Sequence, residues 1–562
     1  MGLKGSTFMC IEVKSGLLSG KTSPVSIALL LLVWWPHFCG SDETIRFVNV
    51  SAELGITFVH YNGISNEKHL PETYGSGLAW FDCDGDSDLD LYIVNSGDLK
   101  KGRGRASNSL FRNDGVRFRD ITQETGLAGD EYGMGVAAAD YDNDGDQDLY
   151  LTNWGTDQFF RNDGSEFTNS SEKSGIEQTG WSSSATFFDG DNDGWLDLYV
   201  TRYVDFDMNT HPWCGRRDMG LRFYCDPRQL AATRDIYYAG DGEGGFVDMT
   251  IRSGIDDAGN GLGVVAGDFD NDGDSDVYVA NDMTPNFYYR NQSGHRFEEV
   301  GLLIGAALSG DGAAQAGMGV DSADYDNDGD LDLFVTNYQL EHNALYRNDG
   351  NYFVDVSFLT GIGEASLNYL GFGTGFLDYN NDGWLDLFVA NGHVHDNIGQ
   401  YDELVTYRQT PQILRNAGGR FDDVSTMLGE AFSTPYVGRG AAFADYDRDG
   451  DPDIALLDAG QGVVILRNDG GNTAHWLEVE LVGNRSNRDG LGARVWISDD
   501  RGHHLREIHG GVGYQSSSAY RAHFGLGQNE SISSVRVRWP NGSENLIVDP
   551  PVNQLLRVVE LD

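Results

Sequence analysis

One nine-residue acidic loop recurs seven times in this 562-residue chain, with Asp or Asn oxygens at positions 1, 3, 5 and 9 and usually Gly at 6. The four positions are Asp82, Asp84, Asp86 and Asp90 in loop 1, and Asp140, Asp142, Asp144 and Asp148 in loop 2. They are Asp189, Asp191, Asp193 and Asp197 in loop 3, and Asp268, Asp270, Asp272 and Asp276 in loop 4. Loop 5 has Asp324, Asp326, Asp328 and Asp332, loop 6 Asp378, Asn380, Asp382 and Asp386, and loop 7 Asp445, Asp447, Asp449 and Asp453. The starts lie 49 to 79 residues apart. Asp and Gly are ordinary turn residues, but seven copies with one internal spacing require a repeat architecture.

The spacing predicts calcium, up to seven ions. Calcium takes six to eight oxygens at about 2.3–2.6 Å, and carboxylates at alternate positions of a tight loop converge on one point. Gly at position 6 permits the backbone turn. Position 7 holds Trp in two copies, Trp195 and Trp384, so it is expected to contribute a main-chain carbonyl. Magnesium demands a near-ideal octahedron and keeps its waters, and zinc calls for His or Cys; Cys83, the one loop cysteine, falls between ligand positions. An EF-hand would need a bidentate Glu at position 12 and flanking helices. Here position 9 runs into segments such as Leu149-Tyr-Leu-Thr-Asn153, which read as strands. Loops 1 and 6 depart from the pattern through Ser87 and Asn380, and both are expected to bind more weakly.

A second motif fixes the fold: Phe, any residue, a polar residue, a hydrophobe, then usually Ser or Thr. It starts at Phe47, Phe118, Phe167, Phe246, Phe297, Phe353 and Phe421. Between a loop and the next Phe motif often comes a hairpin signal such as Leu110-Phe-Arg-Asn-Asp-Gly115. Each unit therefore reads as four short strands. The class is all-β, a seven-bladed β-propeller over 41–471 with a small β domain at 472–562. The first Phe motif has no loop before it and the last loop no Phe motif after it. The N-terminal strand is thus expected to complete the last blade, which removes exposed sheet edges.

The charge is −48, from 39 basic and 87 acidic residues, which disfavours nucleic acid and anionic membranes as partners. Residues 1–40 read as a signal peptide or N-terminal anchor. Lys14 and Lys21 precede the apolar run Ile27 to Trp35, which is short for a membrane span of about 20 residues. No membrane insertion is expected after processing, and the chain reads as exported: secreted, periplasmic or cell-surface. Phe38 before Cys39 is a poor match to a lipoprotein box, so a lipid anchor there is not favoured. Cys214 and Cys225 lie in an insertion at about 202–235 and in an exported protein read as a disulfide.

The repeats stop near Asn472. Six strands are expected beyond it, at 476–482, 491–498, 503–508, 518–524, 534–539 and 554–560. At this point the chain resembles a known family. The Asp loops resemble FG-GAP/VCBS repeats of integrin-α-like propellers. Gly490-Leu-Gly-Ala-Arg494, His509-Gly-Gly511, His523-Phe-Gly-Leu-Gly527 and Trp539-Pro-Asn-Gly542 resemble the ASPIC/UnbV domain. Together they resemble the cartilage acidic protein family and its bacterial relatives, whose insertion Cys214 and Tyr224-Cys225-Asp-Pro227 also resemble. The resemblance implies secreted calcium-binding propellers in matrix or adhesive roles, with one branch tied to enediyne biosynthesis clusters.

No catalytic motif stands out. Gly261-Leu-Gly-Val-Val-Ala266 is a loose dinucleotide fingerprint, but Gly133-Met-Gly and Gly317-Met-Gly occupy the same place in sister repeats. No Gly-x-Ser-x-Gly, Walker loop or His-Glu-x-x-His occurs. His393, His395, His503, His504 and His509 read as surface or hydrogen-bonded residues, with a transition-metal role as the alternative. Trp154, Trp181 and Trp213 lie off the repeat and read as core or as a binding surface. The expectation is a binding or adhesion module for an extracellular protein or glycan, with calcium structural. The alternative is an enzyme or biosynthetic accessory with substrate in the propeller funnel or the propeller–tail groove.

Overall fold

The computed structural model describes residues 45–561 except 101–105, 130, 177 and 351; the leader reading for 1–40 lies outside them. Residues 42–562 form one compact unit, and it is all-β. Each acidic loop joins two antiparallel strands, and position 9 is the first residue of the second. The first unit runs Leu78–Phe81, Asp90–Ile93, Ser109–Asn113 and Phe118–Asp120, each strand paired with the next. The Phe motifs start the outer strands, for example Phe246–Asp248 and Phe353–Asp355. Five four-stranded sheets of this kind stand alone among the described residues. Two further meanders, those containing loops 2 and 3, are joined through Thr179–Trp181 and Trp154–Thr156 into one eight-stranded sheet.

The offset between the two motifs has the expected outcome. Arg46–Asn49 pairs antiparallel with Leu466–Asp469 and forms the outer strand of the last sheet. Side chains seal the same seam. The third-strand Asn of most units donates from Nδ2 to the position-2 carbonyl of the preceding unit's loop. Asn162 reaches Cys83 at 3.1 Å, Asn291 Gly190 at 2.8 Å, Asn348 Phe269 at 2.7 Å, Asn416 Tyr325 at 2.9 Å and Asn468 Tyr379 at 2.7 Å. Asn113 reaches Tyr446 of loop 7 at 3.2 Å, joining the first unit to the last.

The tail forms two sheets. His475–Val482 lies between Arg521–Gly527 and Leu555–Val559, and Arg494–Ser498 and Ser534–Arg538 are flanked by His503–Glu507 and Glu544–Val548. The last of these was absent from the sequence expectation. Its alternation is inverted, with Leu546 and Val548 exposed and Asn545 buried, so its pattern gives no ordinary core signal. The predicted strand at 518–524 begins only at Arg521, because the residues before it do something else.

Residues 509–520 of the tail enter the axis of the ring. Gly513 exchanges backbone hydrogen bonds with Val320, and Gln515 accepts from Val136 N–H at 3.0 Å. Ser517 bonds Leu78 and Trp80, Gly510 accepts from Phe187, and Ala519 donates to Phe443. His509 lies 2.9 Å from the carbonyl of Ala266. Six inner strands are thus bonded by one loop. The Gly-x-Gly signature is explained here: a Cβ on Gly77 would sit 1.5 Å from the Gln515 carbonyl, and one on Gly263 2.3 Å from that of Met318. The residues between those glycines, such as Met134, Leu262, Met318 and Phe372, are buried in one cluster with Tyr514. The axis is a packed core.

Candidate metal centre

The loops are built to bring carboxylates together at the end of the ring where the tail docks. One oxygen each of Asp82, Asp84 and Asp90 lie within 4.8 Å of one another. The same holds for Asp140, Asp142 and Asp148; Asp189, Asp191 and Asp193; Asp268, Asp270 and Asp272; and Asp324, Asp326 and Asp332. In six of the seven loops position 1 caps its own loop, its carboxylate accepting from backbone N–H groups, in five of them those of positions 5 and 6. In loop 2 Asp140 takes Asp144 at 3.0 Å and Gly145 at 2.8 Å, and in loop 6 Asp378 takes Asp382 at 3.0 Å and Gly383 at 2.7 Å. Position 9 ties the loop to the third strand: Asp90 accepts from Asn113 N–H and Asp453 from Asn468 N–H, both at 2.7 Å.

These bonds leave oxygens over. Asp84, Asp142, Asp270 and Asp326, all at position 3, each keep a buried Oδ1 with no hydrogen-bond donor, as do Asp386 and Asp453 at position 9 through Oδ2. A buried carboxylate oxygen without a donor is costly. Burial, and then the crowding of neighbouring charges, pushes Asp189 and Asp324 up to about 7 and Asp445 up to about 8. Converging, unpartnered, hard oxygen donors fit calcium.

Position 4 carries a signal the sequence reading passed over. It is Asn143, Asn192, Asn271, Asn327, Asn381, Arg448 and Gly85, and every one has positive φ, between 55° and 76°. Asn is the commonest non-Gly residue in that region. The amide also reaches the next loop: Asn143 Nδ2 donates to Gly194 O at 2.9 Å and Asn381 Nδ2 to Gly450 O at 2.8 Å. Its oxygen meets the tail: Asn143 accepts from Arg488 N–H at 2.7 Å, and Asn327 and Asn381 face His504 and His523 at 3.0 and 2.6 Å.

Unit 3 breaks the repeat. Sister units hold an Arg beside position 3: Arg161 is 3.2 Å from Asp142 and Arg290 3.2 Å from Asp270. Unit 3 has Ala239 there, and His295 of the next unit takes the place, 3.0 Å from Asp191.

The other singled-out residues find structural partners. His393 Nδ1 accepts from His395 N–H at 3.0 Å and its Nε2 lies 3.3 Å from Tyr338 Oη. Burial depresses His393 to about 3 and His395 to about 4. The neighbouring Asp396 is taken by Lys68 at 2.8 Å. His503 sits 2.7 Å from Ser498 Oγ. Trp181 packs edge-on to Tyr203 at 4.9 Å, Trp154 edge-on to Tyr132 at 6.3 Å, and Arg217 covers Trp213 at 4.4 Å. Cys214 and Cys225 are bonded, Cα atoms 5.3 Å apart, and Cys83 is a buried free thiol. Among the described residues no helix is long and apolar enough to cross a membrane.

Ring, loops and capping tail define a repeat protein with a dedicated C-terminal module, and comparison with known proteins agrees. The FG-GAP-like repeat model matches residues 82–151, 140–200, 268–335, 324–389 and 395–456, more than half of the chain, and the ASPIC and UnbV model matches 483–562. The chain belongs to the FG-GAP-like repeat family and carries an ASPIC/UnbV tail. It is similar to Cartilage acidic protein 1 of Mus musculus, 27% identical over 331 residues, 56% of this chain and 47% of the relative. It is likewise similar to that of Homo sapiens, 28% identical over 310 residues, 52% of this chain and 43% of the relative. The matched stretch thus spans about half the length of these relatives. Solved structures include an Agrocybe aegerita lectin recognising non-reducing terminal N-acetylglucosamine (TM-score 0.36, 15% identity, 62% of this chain and 79% of that one). Another is the V. cholerae biofilm matrix protein Bap1 (TM-score 0.32, 11% identity, 90% and 76%).

Proposed function

We propose that the chain is an exported, calcium-stabilised propeller that works as a binding or adhesion module for an extracellular protein or glycan. Counting the joined sheet as two blades gives seven blades and up to seven ions. The observation that carries the reading is the set of buried, donorless carboxylate oxygens converging in the loops. Calcium would be held by positions 1, 3, 5 and 9, with the position-7 carbonyl, and would turn mutual repulsion into a cross-link between two strands. Two carboxylates at 4 Å repel by about 4 kcal/mol at an effective dielectric of 20. An ion present at a hundredfold its Kd adds about 2.7 kcal/mol of stability per site. Melting the protein in chelator and in millimolar calcium tests this: the calcium form should melt many degrees higher, and coincident curves overturn it. Screening calcium-loaded protein against glycans and surface proteins identifies the partner.

A second reading, an enzyme or biosynthetic accessory, has one observation in its favour. The axis is filled, but a cavity of about 160 Å³ lies between tail and loops, lined by Asp321, Ser322, Arg506 and His509. Sister repeats carry Ala138 or Phe376 where unit 5 has Ser322. His509 Nδ1 faces the Ala266 carbonyl at 2.9 Å and donates to it, and its Nε2 lies 3.3 Å from Ser322 Oγ. Labelling by a serine-directed fluorophosphonate that Ser322→Ala abolishes would favour the enzyme; no labelling of the native chain removes this reading.

A further inference from the structure

Six loops hold their position-1 carboxylate with their own backbone N–H groups, as described for loops 2 and 6. Asp82 accepts from Gly85 and Ser87 at 2.8 Å. Asp189, Asp324 and Asp445 accept from positions 5 and 6 at 2.9 to 3.1 Å. Loop 4 lacks both bonds. Its Asp268 is bound by the tail on three sides: Oδ2 accepts from Arg538 at 2.9 Å, the main-chain oxygen accepts from Arg494, and the N–H donates to Glu507 at 3.1 Å. Oδ1 is buried without a partner. The register pairs Arg494 with both Arg538 and Glu507, so this clamp is built into one tail sheet. Arg494 also reaches Asn271, the position-4 residue of the same loop.

The charge around loop 4 follows. Arg290, Arg494 and Arg538 all stand within 4 Å of its ligand-position carboxylates, at 3.2, 3.7 and 2.9 Å. Loops 1 and 2 have one such guanidinium each, Arg112 and Arg161. A carboxylate already neutralised by a guanidinium donates less to a metal, and a fixed cation beside a divalent ion repels it. Sister loops use two N–H groups to aim position 1; loop 4 has surrendered that aim to the tail.

We infer that loop 4 is the tail's latch and not an equal seventh calcium site: Arg538 and Arg494 compete with the ion for Asp268. This rests on the calcium reading above. By linkage the competition is reciprocal, so loading loop 4 loosens the strand Ser534–Arg538. In the other loops the tail's hydrogen bonds go to position-4 side chains, main-chain groups and Gln147, and to no ligand-position carboxylate.

Native mass spectrometry of the full chain across a calcium titration tests this. Loops 1 and 6 spread the first six ions somewhat, and the seventh should need at least about tenfold more calcium than the sixth. Arg538→Gln should bring the seventh to within about threefold of the sixth, while Arg538→Lys, which keeps the charge, should leave it weak. In the native chain amide exchange over 534–538 should rise only at the calcium level that loads the last ion. Seven ions in a single class, or a seventh ion weakened further by Arg538→Gln, overturns the latch and leaves the calcium reading standing. No bound calcium overturns both. The native stoichiometry decides even if a variant fails to fold.

Discussion

Single residues carry more of the ring's closure than composition suggests. Each third-strand Asn serves two blades, its N–H on its own position-9 carboxylate and its amide on the loop before. Asn348 is buried, and its Nδ2 reaches both Phe269 O at 2.7 Å and Leu331 O at 3.1 Å. Asn348→Ala should cost about 1–3 kcal/mol in denaturant unfolding, because two buried carbonyls lose their donor; a loss near zero would show that water replaces the amide. Ser87 is the one non-Gly residue at position 6, with φ at 70°. Ser87→Gly should stabilise the protein by up to about 1 kcal/mol by releasing left-handed strain, read as a rise in melting temperature. The convergence of carboxylates was legible because acidic residues at alternate positions of a tight loop face one point. The Asn at position 4 was equally visible in the letters. It was not understood, because its meaning lies in a backbone angle and in two partners, a neighbouring loop and the tail, both distant in sequence.

At the scale of elements, strand order and the displaced outer strand were read correctly because the Phe motif and the acidic loop mark opposite ends of each sheet. The plug was not legible. His509 to Tyr520 is rich in Gly and Ser and looks like a loop joining two strands; its bonds go to residues up to 440 positions away. The fourth strand of the second tail sheet was missed because its exposed face is the apolar one. The tail's last strand is pinned by Glu560. Burial opposes its charge, but N–H groups of Arg485, Ser486 and Asn484 at 2.8 to 2.9 Å outweigh that and hold it down to about 2. A depressed carboxyl contributes stability above its unfolded value of 4.5, and that contribution fades as pH falls toward about 2. Glu560→Gln should therefore lower stability at pH 7 and flatten the dependence between pH 4.5 and 2; an unchanged acid limb would mean that other carboxylates govern it.

For residues 42–562 as a whole, ring and tail share one interior. Tyr514 lies buried among Tyr74, Met134, Leu262, Met318 and Phe372, and its hydroxyl donates to Tyr74 O at 3.0 Å. Tyr514→Ala should cost about 3–5 kcal/mol, as large aromatic truncations in cores do. Unfolding should stay a single transition, since no boundary between ring and tail is free of shared packing; two separated transitions would show that the tail comes away first. The pairing of Arg46–Asn49 with Leu466–Asp469 also sets a timetable. At 5–20 residues per second the ribosome takes roughly 20–80 s to make the partner of the first described strand, and the plug follows later still. Until then the first strand has no sheet to join and the inner strands border an unfilled axis. Such edges pair with other chains, and contacts this distant form slowly. The chain's most hazardous interval is therefore its own synthesis, and a holdase acting in that interval should raise its yield more than any stabilising substitution.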